Sequence, residues 1–322
     1  MSRFEAGADG PDAGGGVAML VLGAGGMLGS AVLRARPNAH AVRAIPWADP
    51  EAAAVRIDGA VRAFADEVGG DRWAVVWAAG RSVIASDADD VRAESTLLTS
   101  TLEALSRRLE PTRGCVLLAS SVGGLYAGST GAPFDESTEP VPRSEYGQGK
   151  LVQEEAVRAW AERTGGAAVL ARIATVYGTG QDPTKEQGLV TRLCRSVLSG
   201  RPVRLYAPLD TRRHFVWEDD AGRALVDLLQ ADRPGLGETA VRLVAGPTST
   251  TLAEVIRTVE RVTRRTPPVL RAPDPVGLRH ARDLRLRPRS APATPYATPF
   301  LVGVARLWRS LLRTGRPVGA QR

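Results

Sequence analysis

The sequence predicts a doubly wound α/β fold, a parallel sheet with helices on both faces, and three observations carry that expectation. Short apolar runs alternate with longer helical patterns from Val17 to Ile173. The first apolar run ends in a glycine-rich turn that opens a helix. Later runs such as Cys115 to Ala119 and Ala167 to Ile173 are apolar enough to be strands buried on both faces.

Element by element, Val17 to Leu22 reads as the first strand, followed by the turn Gly23-Ala24-Gly25-Gly26-Met27-Leu28-Gly29 and a helix to about Arg36. A second strand is expected near Ala41 to Ile45, a helix near Gly59 to Val68, and a third strand at Trp73 to Ala78. After Asp87 a helical pattern runs through Leu97, Leu98, Leu102, Leu105 and Leu109 to the strand Cys115 to Ala119. A loop at Pro133 to Pro142, a helix at Glu145 to Arg163 and the strand Ala167 to Ile173 follow. These make residues 17–178 a dinucleotide-binding type of domain in outline. From Gly178 the elements shorten between Gly and Pro, as in Gln181-Asp182-Pro183 and Arg201-Pro202. Residues 179–322 are therefore expected to be mainly a smaller lobe, with part of 205–245 returning to the sheet. Pro267 to Thr298 is crowded with Pro and Arg, a terminal amphipathic helix is expected at about Phe300 to Leu312, and residues 1–16 read as a disordered tail.

Composition narrows the partners. With 322 residues, 43% of them apolar, the chain can bury a large core. The net charge of +7 resides largely in arginines, in clusters such as Arg212-Arg213, Arg264-Arg265 and Arg279 to Arg289. Such clusters either hold a diphosphate or nucleic acid or form a solvated face. No aromatic-and-basic ladder accompanies them, so a nucleic-acid partner is not expected. Cys115 and Cys194 are the only cysteines, which excludes a disulfide framework and points to a reducing compartment, the cytoplasm. His40, His214 and His280 stand far apart without ligand-spaced neighbours, so no metal site is expected. Neither a signal-peptide core nor a membrane-length apolar run is present.

Three motifs carry chemistry. Gly23, Gly26 and Gly29 between strand and helix suit a tight turn, close approach of the backbone to a pyrophosphate and close helix packing; the alternative is an ordinary glycine turn. Tyr146 and Lys150, four apart at the start of a helix, share one face, where the cation favours the phenolate and Tyr146 can exchange a proton with a hydroxyl. A plain surface pair is the alternative, against which stand Gly147 and Gly149, residues that weaken a helix with only structural duties. Ser120-Ser121 follows a strand at the edge where open sheets bind ligands, or else caps a turn.

Together, Gly23, Gly26 and Gly29, then Ser121, then Tyr146 with Lys150 resemble the extended short-chain dehydrogenase/reductase family, in its NAD-dependent sugar-nucleotide epimerase/dehydratase branch, over about Val17 to Arg223. Ser121 precedes Tyr146 by 25 positions, as in that family. Further matches are Trp77-Ala78-Ala79-Gly80, the run Arg172 to Gly178, and the run Arg213 to Asp220. The resemblance implies a Rossmann-type sheet with a small C-terminal substrate lobe and Tyr146 as acid/base. Ser121 would bond the reacting oxygen, and Lys150 would assist the tyrosine and hold the nicotinamide ribose. It also implies cofactor contacts at Gly23, Gly26, Met27, Leu28, Gly29, Asp58 (on the adenine), Ala78, Ala79 and Gly80, and substrate contacts at Ser121, Thr175 and Arg213, the last on a diphosphate. Pairing of Arg213 with Asp219 or Asp220 is the alternative for that residue.

Departures refine the expectation. Val122 and Gly123 stand where dehydratases carry an Asp-Glu pair, which argues against dehydration; Glu94 and Thr175 replace family asparagines. The expected second strand has no acid before Asp49 to select NAD, and Arg43 leaves NADP open. The expected enzyme is thus an NAD(P)-dependent epimerase or, alternatively, a keto-sugar reductase acting on a nucleoside diphosphate sugar; a non-catalytic dinucleotide-binding regulator is the remaining reading. In relatives, the helices carrying Leu97, Leu98, Leu102 and Leu105 and Leu151, Val152, Ala156 and Trp160 form a dimer interface. A homodimer is therefore expected, unless the stripes pack on the chain's own sheet.

Overall fold

A computed structural model describes residues 17–84, 86–181, 188–272, 281–289 and 297–314. The expected tail, Asp182-Pro183, His280 and residues 273–280 and 290–296 of the Pro- and Arg-rich segment lie outside the described residues.

The first strand, β1 (Ala18–Leu22), enters a glycine turn and helix α1 (Met27–Ala35), and the chain returns as β2 (His40–Val42). Helix α2 (Pro50–Val68) leads to β3 (Trp73–Trp77), and α3 (Ala88–Arg108) to β4 (Gly114–Ser121). A short turn of helix, α4 (Val122–Leu125), then α5 (Glu145–Thr164) and β5 (Ala167–Ile173) complete the first half. The remaining elements are β6 (Thr175–Tyr177), α6 (Leu189–Ser199), β7 (Val203–Leu205), β8 (Arg212–Trp217) and α7 (Glu218–Gln230). After them come β9 (Thr239–Val244), β10 (Ser249–Thr251), α8 (Leu252–Thr263), β11 (Val269–Arg271) and α9 (Phe300–Thr314).

Six strands form the main sheet in the order β2-β1-β3-β4-β5-β9, and every pairing in it is parallel. The strand order reverses at β1 and β3, the switch point at which such sheets open a crevice. The sheet thus takes its last strand, β9, from beyond Gly178. Both faces are covered: α2, α3 and α5 enclose one core with Phe64, Leu98, Leu105 and Trp160, and α1 and α7 enclose the other with Val32, Leu225 and Leu229. Gly222 lets α7 press on α1, since a Cβ there would lie 2.5 Å from the Ala31 carbonyl carbon. The remaining segments build a lobe around β6, β8 and β10, with α6, α8 and α9 enclosing a third core.

One expectation is corrected here, the start of the second helix. Asp49 caps α2 by accepting from the Ala52 N–H at 3.0 Å and Pro50 occupies its first turn, so the helix starts nine residues before Gly59. No strand separates β2 from that helix. Asp58, expected as an adenine contact, consequently lies in mid-helix, paired with Arg108 at 2.9 Å and outside the cavity lining. Leu97, Leu98, Leu102, Leu105 and Trp160 pack in the chain's own core, the alternative the stripes allowed; the Trp160 indole donates to Ser106 Oγ at 2.8 Å. Of the expected dimer stripes, Val152 is the member left exposed.

His214 ties the lobe to the segment 281–289. Its ring is buried, with Nδ1 2.9 Å from the Gly246 carbonyl and Nε2 accepting from the Leu286 N–H at 3.2 Å. Burial holds the imidazole below the usual range, and the Gly246 carbonyl only partly opposes it. The native state therefore binds this proton less readily than the unfolded chain does. The resulting stability is fully present above the unfolded value of about 6.5 and is lost as pH falls through the depressed native one. Between pH 7.5 and 5.5 the wild-type melting temperature should fall more than that of His214→Gln; parallel declines would contradict this.

Candidate active site

The carboxyl ends of β1, β3, β4 and β5 and the facing wall of the lobe enclose a cavity of about 670 Å³. Its floor begins at the glycine turn. Gly23 has a φ of +84°, and a Cβ there would lie 2.6 Å from the Ala78 backbone, so no other residue fits without moving β3. Gly29 is pressed beneath it, with a Cβ position 2.3 Å from the Gly23 carbonyl oxygen. Neither glycine lines the cavity; they bring its walls together. Gly26, at the N-cap of α1, has no side chain to satisfy the first-turn N–H groups, and Gly26, Met27 and Leu28 face the cavity with Ala78, Ala79 and Gly80. Free helix-terminal donors at a switch point form a cradle that fits a pyrophosphate.

Ser121, Tyr146 and Lys150 converge on the same cavity. Ser121 ends β4 and its Oγ accepts from the Gly124 N–H at 3.2 Å, which leaves the hydroxyl proton free to donate. Ser144 caps α5 by accepting from the Gly147 N–H at 3.1 Å and so fixes where Tyr146 enters. The Lys150 ammonium, itself buried, lies 5.8 Å from the centroid of the Tyr146 ring. It donates to Gln153 Oε1 at 3.0 Å and the Ala119 carbonyl at 3.4 Å, with a third hydrogen left over. The glycines between them have a packing reason. A Cβ on Gly147 would meet the Gly124 carbonyl at 2.4 Å, and one on Gly149 would meet Val91 at 2.0 Å. Their presence in the helix is thus explained by close contact with α4 and α3, not by catalysis.

Thr175 and Arg213 line the opposite wall with Arg204 and Tyr206. The Arg213 guanidinium donates to the carbonyls of Arg212 at 2.8 Å and Ala281 at 2.5 Å. Burial pulls it down to about 10, Asp283 opposing, so it stays charged at neutral pH. It does not pair with Asp219 or Asp220: Asp219 accepts from Arg34 at 2.6 Å and Asp220 pairs with Arg223. Arg43 is exposed at the end of β2 and outside the lining.

Three groups carry more of the site than their sequence suggests. Glu94 lies in the cavity wall, and its Oε1 accepts from the Arg81 and Ser82 N–H groups at 2.5 Å each, fixing the loop after β3. Glu218 accepts from the Thr179 N–H at 2.7 Å and the Gly180 N–H at 3.0 Å, holding that loop over Met27. Behind the serine, Glu154 accepts from Ser120 Oγ at 2.6 Å and from Arg172 at 2.7 Å, and Arg172 also donates to the Tyr126 hydroxyl at 2.8 Å.

A doubly wound sheet with a glycine cradle and a Ser-Tyr-Lys set at its carboxyl edge defines a dinucleotide-dependent oxidoreductase-like class. The sequence profile of the NAD dependent epimerase/dehydratase family matches residues 19–241, and the chain belongs to that family. Among curated proteins it is similar to a dTDP-4-dehydro-6-deoxyglucose reductase of Escherichia coli, 26% identical over 149 residues, 46% of each chain. It is also similar to a 2'-dehydrokanamycin reductase of Streptomyces kanamyceticus, 37% identical over 119 residues, 37% of this chain and 33% of that protein. The matches span less than half the length of these relatives. Among solved structures, MoeE5 in complex with UDP-glucuronic acid and NAD has the same fold at a TM-score of 0.75 and 22% identity, over 92% of this chain and 99% of that one. A UDP-glucose 4-epimerase of Thermotoga maritima does so at 0.74 and 19%, over 93% and 100%. No helix among the described residues is long and apolar enough to cross a membrane.

Proposed function

We propose that the chain is an NAD(P)-dependent enzyme that oxidises and reduces a carbon of a nucleoside diphosphate sugar, with 4-epimerisation as the leading reaction. The observation that carries this reading is the convergence of Ser121, Tyr146 and Lys150 on a cavity floored by the glycine cradle and walled by Arg213. When bound, the dinucleotide supplies the hydride acceptor and donor. The chain's own residues do the rest. Tyr146 takes the hydroxyl proton as the carbonyl forms and returns it on reduction, Ser121 donates to the same oxygen, and Lys150 sets its ammonium beside the Tyr146 ring. Among the described residues the cavity lining contains one carboxylate, Glu94, already bonded to two backbone amides, and no acid pair beside Ser121 to expel water. That supports epimerisation or reduction over dehydration.

Keto-sugar reduction is the second reading, favoured by the two relatives named as reductases. Net NAD(P)H consumption with a keto substrate supports the reductase, and interconversion of two sugars without it the epimerase. The buried free thiols Cys115 and Cys194 fit a cytoplasmic, reducing setting. A homodimer is proposed from the resemblance alone, and light scattering that shows only monomer at micromolar concentration would reject it.

Arg213, a charged group in the cavity wall with no ion-pair partner among the described residues, suits the substrate diphosphate. Arg213→Ala should raise KM by about tenfold or more and leave dinucleotide affinity unaltered. An unchanged KM would remove the phosphate role.

A further inference from the structure

We propose that α9 is a membrane-contact helix whose outward face docks the chain reversibly on a bilayer surface containing anionic lipid. The inference is independent of the dinucleotide site and of the reaction. It follows from how the 15 residues of α9 divide around the helix.

Phe300, Gly303, Val304, Leu307 and Leu311 form the inner face. Val304 and Leu307 are buried, Phe300 and Leu311 pack partly buried on the third core, and a Cβ on Gly303 would lie 2.0 Å from the Tyr177 hydroxyl oxygen. That face is filled by α6, α8 and β8. The outward half splits into two stripes, each at the spacing of one helix face. Leu301, Ala305, Trp308 and Leu312 make the first, with Leu301 38% and Leu312 43% exposed and Trp308 half-buried. Val302, Arg306, Arg309 and Arg313 make the second, and all four are exposed. Among the described residues α9 leaves three large apolar side chains in the open, Leu301, Val302 and Leu312, whereas no other helix leaves more than one.

The charge on this face has one sign. α9 contains no acid, and Arg306, Arg309 and Arg313 form no ion pair with the described residues. Arg309 reaches only the Ala305 carbonyl of its own helix, at 3.4 Å. Of the elements beneath, α6 and β8 carry no acid, and the two on α8 are committed, Glu254 to the capping box with Thr251 and Glu260 to the Thr266 hydroxyl. At this length the helix is too short to span a bilayer, so it lies in the interface. There the acyl boundary takes Leu301, Trp308 and Leu312, and the headgroup phosphates take the guanidinium forks alongside. A second copy docked through the same face would set arginine against arginine with no acid to relieve it. A purely acidic polypeptide would satisfy the arginines and leave the apolar stripe in water.

The test is co-sedimentation of the full chain with two kinds of vesicle, phosphatidylcholine alone and an equal mixture of phosphatidylcholine and phosphatidylglycerol. The wild type should bind the mixed vesicles and not the neutral ones. Joint replacement of Arg306, Arg309 and Arg313 by Gln should weaken that binding about a hundredfold. Leu301→Ser with Leu312→Ser should weaken it about tenfold, although neither substitution touches a charge. A control that loses the same charge from the exposed Arg56, Arg62 and Arg72, far from α9, should change it by less than about threefold. All replaced side chains are exposed, and melting temperatures within about 2 °C of the wild type confirm an intact fold. Failure of the wild type to bind mixed vesicles, equal loss in the control, or undiminished binding by the α9 variants would overturn the proposal. Binding of soluble polyglutamate through the three arginines without binding of vesicles would overturn it too, in favour of an acidic polypeptide.

Discussion

Replacing Tyr146 by Phe is expected to lower turnover by about a hundredfold or more, while dinucleotide affinity stays within a few fold of the wild type. The substitution removes one oxygen from a half-buried ring whose position is set elsewhere, by the Ser144 cap and by contact with Gly124. Nothing among the described residues is held by the phenol oxygen, so the fold should be unaffected. Proton transfer has no substitute nearby: Ser121 is a hydroxyl without a base beside it, and Lys150 is already bonded to Gln153 and Ala119. Steady-state kinetics and titration calorimetry on the same preparation separate the two effects. Retention of more than about a tenth of the wild-type rate would take Tyr146 out of the mechanism.

Replacing Glu154 by Ala should cost about 3–5 kcal/mol of stability, the largest effect expected of any single substitution considered. Glu154 is fully buried and neutralises Arg172, which is 5% exposed at its side chain. Truncation leaves that guanidinium in the interior with only the Tyr126 hydroxyl and the Thr138 carbonyl, and strips Ser120 of its acceptor. The paired replacement Glu154→Leu with Arg172→Met removes both charges and should recover most of the loss, because the penalty comes from the uncompensated ion. Urea denaturation measures both. A loss below about 1 kcal/mol for Glu154→Ala would mean that water or a rearranged side chain replaces the carboxylate.

Much of this architecture was legible in the sequence where periodicity and punctuation agreed. Ala167 to Ile173 is a strand with the expected bounds, and the glycine turn stands between strand and helix as its spacing required. The misreading around Asp58 has a definite cause. Asp49-Pro50 is a helix start of the plainest kind, a cap followed by a first-turn proline, but the helix was expected only from near Gly59. The leucines of α3 were legible as an apolar stripe, yet a stripe does not say whether a sheet or a second subunit covers it.

The hidden parts of the site are polar residues on otherwise apolar helix faces. Glu94 falls between Val91 and Leu98, and Glu154 one turn after Lys150 and before Val157. Acids at such positions are rarely buried without a partner, and that signal was available. The partners were not. Arg172 and Ser120 reach Glu154 from two different strands, and the amides of Arg81 and Ser82 reach Glu94 across a loop. No local pattern encodes such meetings.

The central claim is that hydride passes between a nicotinamide and a sugar carbon in this cavity. It is tested most directly by supplying the protein with reduced dinucleotide deuterated at C4 of the nicotinamide and a panel of keto forms of nucleoside diphosphate sugars. Mass spectrometry and NMR then locate the label. The account predicts one deuterium on the former carbonyl carbon of at least one sugar, with none transferred by Tyr146→Phe. Tight dinucleotide binding with no label on any sugar would contradict it.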